Sequence, residues 1–240
     1  MVKCAVVGGS GYIGGELIRL LLVHPNVELV AITAKDAAGK RLAEEHPNLA
    51  GIEMTFGELA DVGDAEVLFL ALPNGETMKA ISSLPDRRII DTSADFRLRD
   101  KSLFQQFYKT DHNCFERVRE FTYGLPELFR SRIQEARHIA AAGCFATASI
   151  LLSYPLVAEG LYEHIVINAV TGSSGSGVKP KEKAHHPFRN DSFFAYETFT
   201  HRHIPEIKQA LKDSTGKDVE ILLQPHSGPF VRGIFATAVI

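Results

Sequence analysis

The chain has 240 residues, of which 45% are hydrophobic and 23% are charged, the composition of a globular protein able to bury a substantial core. This composition excludes disordered and collagen-like chains, and no apolar run approaches the roughly 18 residues that a membrane-spanning helix needs. Its 26 basic and 29 acidic residues give a net charge of −3, without a basic run suited to a nucleic-acid backbone. We therefore expect a cytoplasmic protein that binds neither membranes nor nucleic acids.

Short apolar runs alternate with amphipathic stretches in the first part of the chain, which is the βαβ rhythm of a parallel sheet covered by helices. The first helix is predicted over Gly11–His24 and ends before Pro25. The predicted strands are Lys3–Val7, Val27–Thr33, Glu66–Leu72, Arg88–Asp91 and His138–Ala142. This order predicts an α/β fold that begins with a Rossmann-like parallel-sheet domain over residues 1–143.

The pattern changes after Gly143, where longer helices and a glycine-rich segment follow. The predicted elements are helices at Ala146–Leu156 and Ile204–Lys212 and strands at Glu163–Thr171, Val219–Gln224 and Phe230–Ile240. The segment Gly172–Pro180 is too rich in glycine for a helix or strand and is predicted to be a mobile loop. We expect an α+β substrate and dimerisation domain over residues 144–240, truncated at its C-terminus because the sequence stops inside an apolar run.

The turn between the first strand and the first helix carries the G-x-G-x-x-G fingerprint of dinucleotide-binding domains. Gly9 permits the tight turn, Gly11 lets a pyrophosphate approach the backbone, and Gly14 lets the helix pack on the strand. Amides at the helix start then hold the phosphates. The cofactor-binding residues predicted in this loop are Gly9, Ser10, Gly11, Tyr12, Ile13 and Gly14. A glycine-rich turn without a ligand is the alternative.

The residues after the second strand indicate which dinucleotide is bound. An acidic residue there binds the adenosine ribose, whereas a basic residue accepts a 2′-phosphate. Thr33 is followed by Lys35 before any acidic residue, which favours NADP over NAD, although Lys35 and Lys40 as solvated surface charges are the alternative. A tyrosine-dependent short-chain reductase is excluded because none of the six tyrosines has a lysine four residues later.

Cys144 lies between a predicted strand and a predicted helix, where unpaired amides and the helix dipole stabilise a thiolate. We expect this thiolate to act as a nucleophile and the same amides to hold an oxyanion. A small buried side chain is the alternative, and it is the role expected for Cys4 and Cys114. The three cysteines are too few and too far apart for a disulfide framework or a zinc site.

His201 and His203 supply imidazoles that exchange protons near neutral pH, as a thiolate nucleophile requires. Glu206 follows at the start of a predicted helix, where it could orient one ring. A metal site on the histidine pair is the alternative, but no carboxylate or cysteine stands at a zinc spacing, so no metal is predicted. Together with a nicotinamide cofactor, a nucleophilic cysteine predicts thioester formation on an activated acyl group and reduction to an aldehyde.

Eight segments of the chain carry a resemblance that is more specific than any one motif. They are Gly8–Gly14, Ala71–Gly75, Asp91–Arg97, Tyr123–Glu127, Gly143–Cys144, Gly172–Gly177, His201–Ile207 and Arg232–Ile234. In this order they resemble the N-acetyl-γ-glutamyl-phosphate reductase family, relatives of aspartate-semialdehyde dehydrogenase. The resemblance implies that Cys144 forms the acyl-enzyme, that His201 or His203 is the acid/base, that the protein is a homo-oligomer and that family chains extend well beyond residue 240.

The same resemblance implies further contacts with the two ligands. Pro73 lies in the loop that the family places against the cofactor, and the loop containing Gly175 has the flexibility to close over it. Ser93 and Arg97 follow the carboxyl end of a predicted strand, where they are expected to bind the phosphoryl group. A surface pairing of Arg97 with a nearby aspartate is the alternative.

Two departures from the family pattern concern the substrate. The segment Ala142–Thr147 lacks both prolines of the arginine-pathway members. The segment Lys179–Arg189 is similar to the branch whose substrates are attached to an acidic amino-group carrier protein in lysine, and sometimes arginine, biosynthesis. We expect His186 and Arg189 to contact the substrate and this basic segment to suit an acidic partner, with a solvated basic loop as the alternative.

The predicted function is therefore the NADPH-dependent reduction of an acyl phosphate, a small-molecule substrate, to a semialdehyde with release of phosphate. The substrate is an N-blocked glutamyl or aminoadipyl ω-phosphate, acetylated or linked to the carrier protein. The alternative is a catalytically silent NADP-binding sensor protein.

Overall fold

The computed structural model describes residues 1–182 and 185–240. The chain forms two compact units, of which the first comprises Met1–Phe96, His112–Gly124 and Ser131–Ala141. The second unit comprises Arg97–Asp111, Leu125–Arg130 and Ala142–Ile240. Two short segments that precede residue 143 in the sequence thus belong to the second unit, which therefore contains Arg97 as well as the cysteine and histidine segments.

The first unit is built on a six-stranded sheet with the order β2-β1-β3-β4-β6-β5, in which every neighbouring pair is parallel. Its strands are β1 (Val2–Val7), β2 (Val27–Thr33), β3 (Val67–Leu70), β4 (Arg88–Asp91), β5 (Phe121–Gly124) and β6 (His138–Ala141). Its helices are α1 (Tyr12–Leu22), α2 (Leu42–Glu45) and α3 (Thr77–Ala80). The predicted parallel sheet is confirmed, with β2 and β4 at their predicted bounds.

The core of the first unit follows from the two periodicities of its elements. β1 is buried from Cys4 to Val7, as expected for a central parallel strand covered on both faces. On α1, Ile18 and Leu21 are buried three residues apart and join the core cluster that includes Ile32 of β2. Burial of these apolar side chains fixes the start of α1 above the carboxyl end of β1.

The second unit contains a four-stranded mixed sheet with the order β10-β7-β9-β8. Its strands are β7 (Ile165–Thr171), β8 (Phe194–Ala195), β9 (Ile221–Ser227) and β10 (Ile234–Val239). The remaining helices of the chain are α4 (Lys101–Tyr108), α5 (Pro126–Glu135), α6 (Cys144–Glu159), α7 (His186–Arg189) and α8 (Ile204–Thr215). Within the described residues, no helix is both long and apolar enough to cross a bilayer.

Alternation along the second sheet separates a covered face from an open one. Ile165, Ile167 and Ala169 of β7 are buried, and α6 and α8 pack against this sheet. On β10, Phe235 and Val239 are exposed because they point to the opposite face. The open face of the second sheet thus carries large apolar side chains.

Several predicted bounds were wrong for local reasons. α6 begins at Cys144 rather than Ala146, because Gly143 is its N-cap, and it continues past Leu156 to Gly160, whose left-handed φ of +77° ends it. Pro155 does not end α6, since a proline removes only one of the backbone hydrogen bonds. The segment predicted as irregular from Gly172 contains a 3₁₀ helix at Ser173–Ser176.

Other elements were missed or ended too early in the prediction. β9 continues beyond Gln224 to Ser227, because Pro225 still takes part in the sheet by accepting the Tyr196 N–H (3.1 Å). β5 and α4 were not predicted, since four and eight residues carry too little periodicity. α5 was missed as well; its residues are mainly polar, with only Phe129 buried.

A buried hydroxyl on α6 makes this helix testable. Ser149 is fully buried, and its Oγ has no hydrogen-bond partner among the described residues. Replacing an unsatisfied hydroxyl by a methyl group removes a desolvation penalty, so Ser149→Ala should raise the free energy of unfolding by about 1 kcal/mol in a urea titration. The matched variant Ser214→Ala should lower or not change it, because Ser214 Oγ donates to the Ala210 carbonyl (2.9 Å). A clear loss of stability in Ser149→Ala would contradict the assignment.

Candidate active site

The glycine loop of the first unit is held in place from the side of β2. The N–H groups of Gly8 and Gly9 both donate to the Thr33 carbonyl, at 2.9 and 2.8 Å. A Cβ on Gly14 would lie 2.5 Å from the Gly8 carbonyl oxygen, so this position packs the helix against the loop. A Cβ on Gly11 would meet no atom within 4 Å, which leaves open space at the start of α1. Loop and helix start therefore fit a dinucleotide pyrophosphate.

The other residues predicted to bind the cofactor lie around this loop or outside the unit. Tyr12 and Ile13 are exposed in the first turn of α1, and Lys35 is exposed in a 3₁₀ turn directly after β2. Thr33 acts through its carbonyl, because its side-chain hydroxyl is buried without a partner among the described residues. Pro73 is exposed in the segment after β3.

The segment after β3 is held by the segment after β4, and this contact was not predicted. Asp95 is buried and accepts the N–H of Gly75 (2.7 Å) and that of Met78 (2.9 Å). Ser93 donates its hydroxyl to Asp91 (2.6 Å) and accepts the Asp95 N–H (3.2 Å). The hydroxyl of Ser93, predicted to bind phosphate, is therefore engaged inside the first unit.

Asp91 lies at the centre of this polar cluster and has no exposed surface. Burial raises the pKa of its carboxyl to about 6, although hydrogen bonds from Ser93 and Thr77 oppose the shift. Asp91 and Asp95 thus fasten together two loops at the carboxyl ends of neighbouring strands, the edge at which parallel sheets bind ligands.

In the second unit, Cys144 is the first residue of α6 and its side chain is exposed, whereas Cys4 and Cys114 are buried. The surrounding protein nevertheless raises the pKa of the Cys144 thiol, mainly by desolvation. The N–H of Phe145 and the charge of Arg97 act in the opposite direction. The location predicted for the thiol is therefore observed, but the free thiol is protonated at neutral pH and needs a base.

The two predicted histidines form one buried cluster beside the first turn of α6. Their ring centroids are 4.7 Å apart, and those of His201 and His203 lie 5.2 and 6.3 Å from that of Phe145. The His203 N–H donates to His201 Nδ1 (3.2 Å), so a neutral His201 carries its proton on Nε2, which lies 3.7 Å from Glu197.

Both histidines are neutral at physiological pH. Burial, followed by the nearby His203 and Arg202, lowers the pKa of His201 to about 3. Burial and the charges of Arg97 and Arg202 hold the pKa of His203 well below its ordinary value. A neutral imidazole has a free nitrogen lone pair, so this cluster can accept a proton.

His203 and Arg97 contact the residue that precedes the thiol. A Cβ on Gly143 would lie 2.6 Å from His203 Nε2 and 2.7 Å from Arg97 Nη1, so only glycine fits between them. Arg97 is buried and lies 3.5 Å from Glu206, an ion pair that differs from the surface pairing considered above. Asp100, a possible partner of Arg97 from sequence, instead caps α4.

Glu206 was predicted to orient a histidine ring; the structure gives it the Gly143 N–H as a partner (2.7 Å), together with Arg97. A fully buried carboxylate requires such partners. Tyr196, which the sequence did not indicate, lies near this cluster, with its ring centroid 5.9 Å from that of His201. Burial and the nearby Cys144 raise the pKa of Tyr196 to about 12, so it remains a neutral hydrogen-bond donor.

The residues predicted from the glycine-rich and basic segments are not part of this cluster of contacts. Arg189 is buried, and its guanidinium donates to Ser227 Oγ and to the Gly228 carbonyl (2.8 Å), which fastens α7 to the end of β9. His186 is exposed at the start of α7, and Gly175 is exposed in the 3₁₀ helix. Lys183 of the basic segment, with Ala184, lies outside the described residues.

Comparison with known proteins identifies the family. Residues 3–136 match the family model "semialdehyde dehydrogenase, NAD binding domain", and residues 144–240 match "semialdehyde dehydrogenase, dimerisation domain". The chain belongs to the semialdehyde dehydrogenase family. The N-acetyl-γ-glutamyl-phosphate reductase of Acidithiobacillus ferrooxidans is 44% identical over 99% of this chain and 71% of its own length. The [LysW]-L-2-aminoadipate/[LysW]-L-glutamate phosphate reductase of Sulfurisphaera tokodaii is 40% identical over 99% and 70%.

Solved structures of this family share the fold. The aspartate semialdehyde dehydrogenase of Candida albicans, solved with NADP, has a TM-score of 0.69 at 15% identity and is matched over 100% of this chain and 71% of its own. The Vibrio cholerae aspartate semialdehyde dehydrogenase II has a TM-score of 0.73 at 10% identity, with 99% and 73% covered. The predicted resemblance, the α/β fold and the nicotinamide cofactor of an oxidoreductase are thereby confirmed.

Among the described residues there is no group of three or more side chains that could hold a metal ion. The chemistry available to this member of the semialdehyde dehydrogenase family therefore rests, within those residues, on Cys144, the neutral histidines and Arg97. The sequence missed Asp95, Tyr196 and His46, the last of which donates to the glycine loop. No local pattern marks these three, because each is defined by contacts with distant segments.

Alanine substitutions in the glycine loop should separate cofactor binding from folding. Gly11 has a φ of −83° and open space around its Cα, so Gly11→Ala should fold normally but weaken dinucleotide binding at least about tenfold, because the methyl group meets the pyrophosphate. Gly14→Ala should instead lower the melting temperature, because its methyl group overlaps Gly8 and Gly9. Calorimetric titration with NADPH and thermal unfolding measure the two effects. Equal NADPH affinity in wild type and Gly11→Ala would contradict the assignment of the site.

The protonation state of Cys144 should be visible in its alkylation kinetics. Because its pKa is raised, the rate of reaction with iodoacetamide should still increase above about pH 8, without a plateau near neutrality. Peptide mass spectrometry reports this rate separately from the buried Cys4 and Cys114, which should react more slowly throughout. A plateau reached below about pH 7 would indicate a resting thiolate paired with a protonated histidine, contrary to the neutral cluster.

Proposed function

We propose that this chain catalyses the NADPH-dependent reduction of an N-blocked glutamyl or aminoadipyl ω-phosphate to the semialdehyde, with release of phosphate, in arginine or lysine biosynthesis. The observation that carries the proposal is the exposed Cys144 at the start of α6, next to Gly143, which contacts a neutral His203 and Arg97. The relatives named above as acyl-phosphate reductases support it. Lys35 after β2 supports NADP as the dinucleotide.

Acylation begins with removal of the thiol proton. His203 Nε2 takes the proton from Cys144 Sγ, and the thiolate attacks the acyl carbon of the phosphorylated substrate. The developing oxyanion is held by free N–H groups in the first turn of α6, and Arg97 stabilises negative charge on the substrate. The bond from the acyl carbon to the phosphate oxygen then breaks, phosphate leaves with the electron pair, and a thioester remains on Cys144.

Reduction completes the proposed cycle. When bound at the glycine loop, the nicotinamide dinucleotide supplies the hydride that converts the thioester into a thiohemiacetal. The imidazolium formed on His203 returns its proton to Sγ as the carbon–sulfur bond breaks, which releases the semialdehyde. His203 is favoured over His201 because Nε2 of His203 contacts Gly143, whereas His201 Nε2 faces Glu197.

Two forms of the substrate are compatible with the chain. The relatives include reductases named for N-acetyl-γ-glutamyl phosphate and for LysW-linked aminoadipate or glutamate, at similar identities. An acidic carrier protein is favoured by the exposed basic residues Lys179, Lys181 and His185. Steady-state kinetics with the free acetylated and the carrier-linked substrate would distinguish the two forms, since a preference for the linked form requires a protein contact.

Homo-oligomerisation is the second partner that we propose. The open face of the second sheet carries the exposed Phe235 and Val239 within the region that matches the dimerisation-domain model. Large apolar side chains on an open sheet face are typical of a protein–protein interface.

The alternative function is a sensor that binds NADP without turnover. The reverse reaction distinguishes it at once: NADP, phosphate and the semialdehyde should produce NADPH absorbance with the native enzyme and none with a sensor. A buried, neutral proton acceptor beside an exposed thiol favours the enzyme.

Cys144→Ser should reduce turnover by on the order of a thousandfold or more, because a serine hydroxyl is a far weaker nucleophile beside the same imidazole. NADPH affinity should remain nearly unchanged, because the glycine loop belongs to the first unit. Steady-state kinetics and calorimetric titration of the native protein measure both. Cys4→Ser serves as the control thiol substitution and should retain turnover in whatever fraction folds. A joint loss of turnover and NADPH binding in Cys144→Ser would indicate a structural role for Cys144.

A further inference from the structure

The glycine loop is anchored on its second side by a residue far from the fingerprint. His46 Nε2 lies 2.7 Å from the carbonyl oxygen of Gly9. A carbonyl oxygen only accepts hydrogen bonds, so this nitrogen carries the imidazole proton and donates it. His46 is buried and directly follows α2, with its own N–H donated to the Leu42 carbonyl (2.9 Å).

The position of His46 accounts for a glycine that the fingerprint does not require. A Cβ on Gly15 would lie 2.5 Å from Cε1 and 2.7 Å from Nδ1 of the His46 ring. Gly15 therefore provides the space in which the imidazole reaches the loop. The ring is also placed by Phe56, with the two centroids 6.3 Å apart.

A hydrogen bond to the Gly9 carbonyl determines the direction of the next amide. In a trans peptide the C=O and the following N–H point to opposite sides of one plane. The Ser10 N–H therefore points away from His46, and it has no acceptor among the described residues. The preceding amides of Gly8 and Gly9 are already engaged with Thr33, so Ser10 provides the first free donor of the loop.

We propose that His46 is a positioning residue of the dinucleotide site, which orients the Ser10 N–H toward the pyrophosphate by binding the Gly9 carbonyl. This inference rests on the proposed function only in that a dinucleotide must bind. His46 does not contact the pyrophosphate in this account. It keeps one loop peptide in the binding orientation before the ligand arrives, which lowers the cost of ordering the loop.

Paired substitutions of His46 test the hydrogen bond rather than the bulk of the ring. His46→Leu removes the donor, whereas His46→Gln keeps an N–H group at similar reach. By calorimetric titration, NADPH affinity should fall roughly tenfold in His46→Leu and stay within about threefold in His46→Gln. His24→Leu, at an exposed histidine, is the matched control and should bind as wild type. Thermal unfolding verifies that each variant is folded.

The outcomes separate this inference from the proposed function. A folded His46→Leu that binds NADPH within about twofold of wild type would overturn the role of His46 and leave the proposed function standing. A folded His46→Gln as weak as His46→Leu would also overturn it, because bulk and not the donor would then matter. Wild-type protein that binds no dinucleotide would overturn the proposed function itself.

A measurement on the wild-type protein decides the case in which the variants do not fold. In nitrogen NMR spectra of histidine-labelled protein, His46 Nε2 should be protonated, protected from rapid solvent exchange and shifted by NADPH, while His24 should not shift. A deprotonated Nε2, or a His46 signal insensitive to NADPH, would overturn the proposal.

Discussion

The Glu206 carboxylate, on the first turn of α8, accepts the N–H of Gly143, which caps α6, and lies 3.5 Å from Arg97. A carboxylate without exposed surface is tolerated only when such partners replace its lost water. Three segments that are distant in sequence are thereby joined at one point. Cys144 follows Gly143 and His203 precedes α8, so the positions of thiol and imidazole both depend on this buried contact.

The same burial sets the protonation states around the thiol. Desolvation lowers the pKa of both histidines and raises that of Cys144, so the cluster rests as a neutral thiol beside neutral imidazoles. Such a site keeps a proton acceptor available over the whole physiological range. The charge of Arg97 strengthens this arrangement, because it disfavours imidazolium on His203 and favours negative charge on the sulfur.

The first unit uses buried polar side chains for a related purpose. Asp95 accepts two amides of the segment after β3, and His46 donates to the glycine loop, so loops at the carboxyl ends of the strands are held by side chains from other segments. These groups do not appear in the fingerprint, yet they determine which amides remain free for a ligand. Preorganisation of this kind reduces the ordering that binding would otherwise require.

The sequence by itself determined the parallel sheet, the glycine loop, the thiol at a helix start and the family, because each is written in neighbouring residues: the alternation of apolar runs, the glycine spacing and short contiguous motifs. It did not determine α4, α5 or β5, whose segments carry too little periodicity. Only the tertiary structure decided that Glu206 binds Gly143, 63 residues away, that His46 reaches Gly9 across 37 residues, and that Arg189 is engaged by Ser227. Those partners are chosen by packing, which brings distant segments together and leaves no local pattern to read.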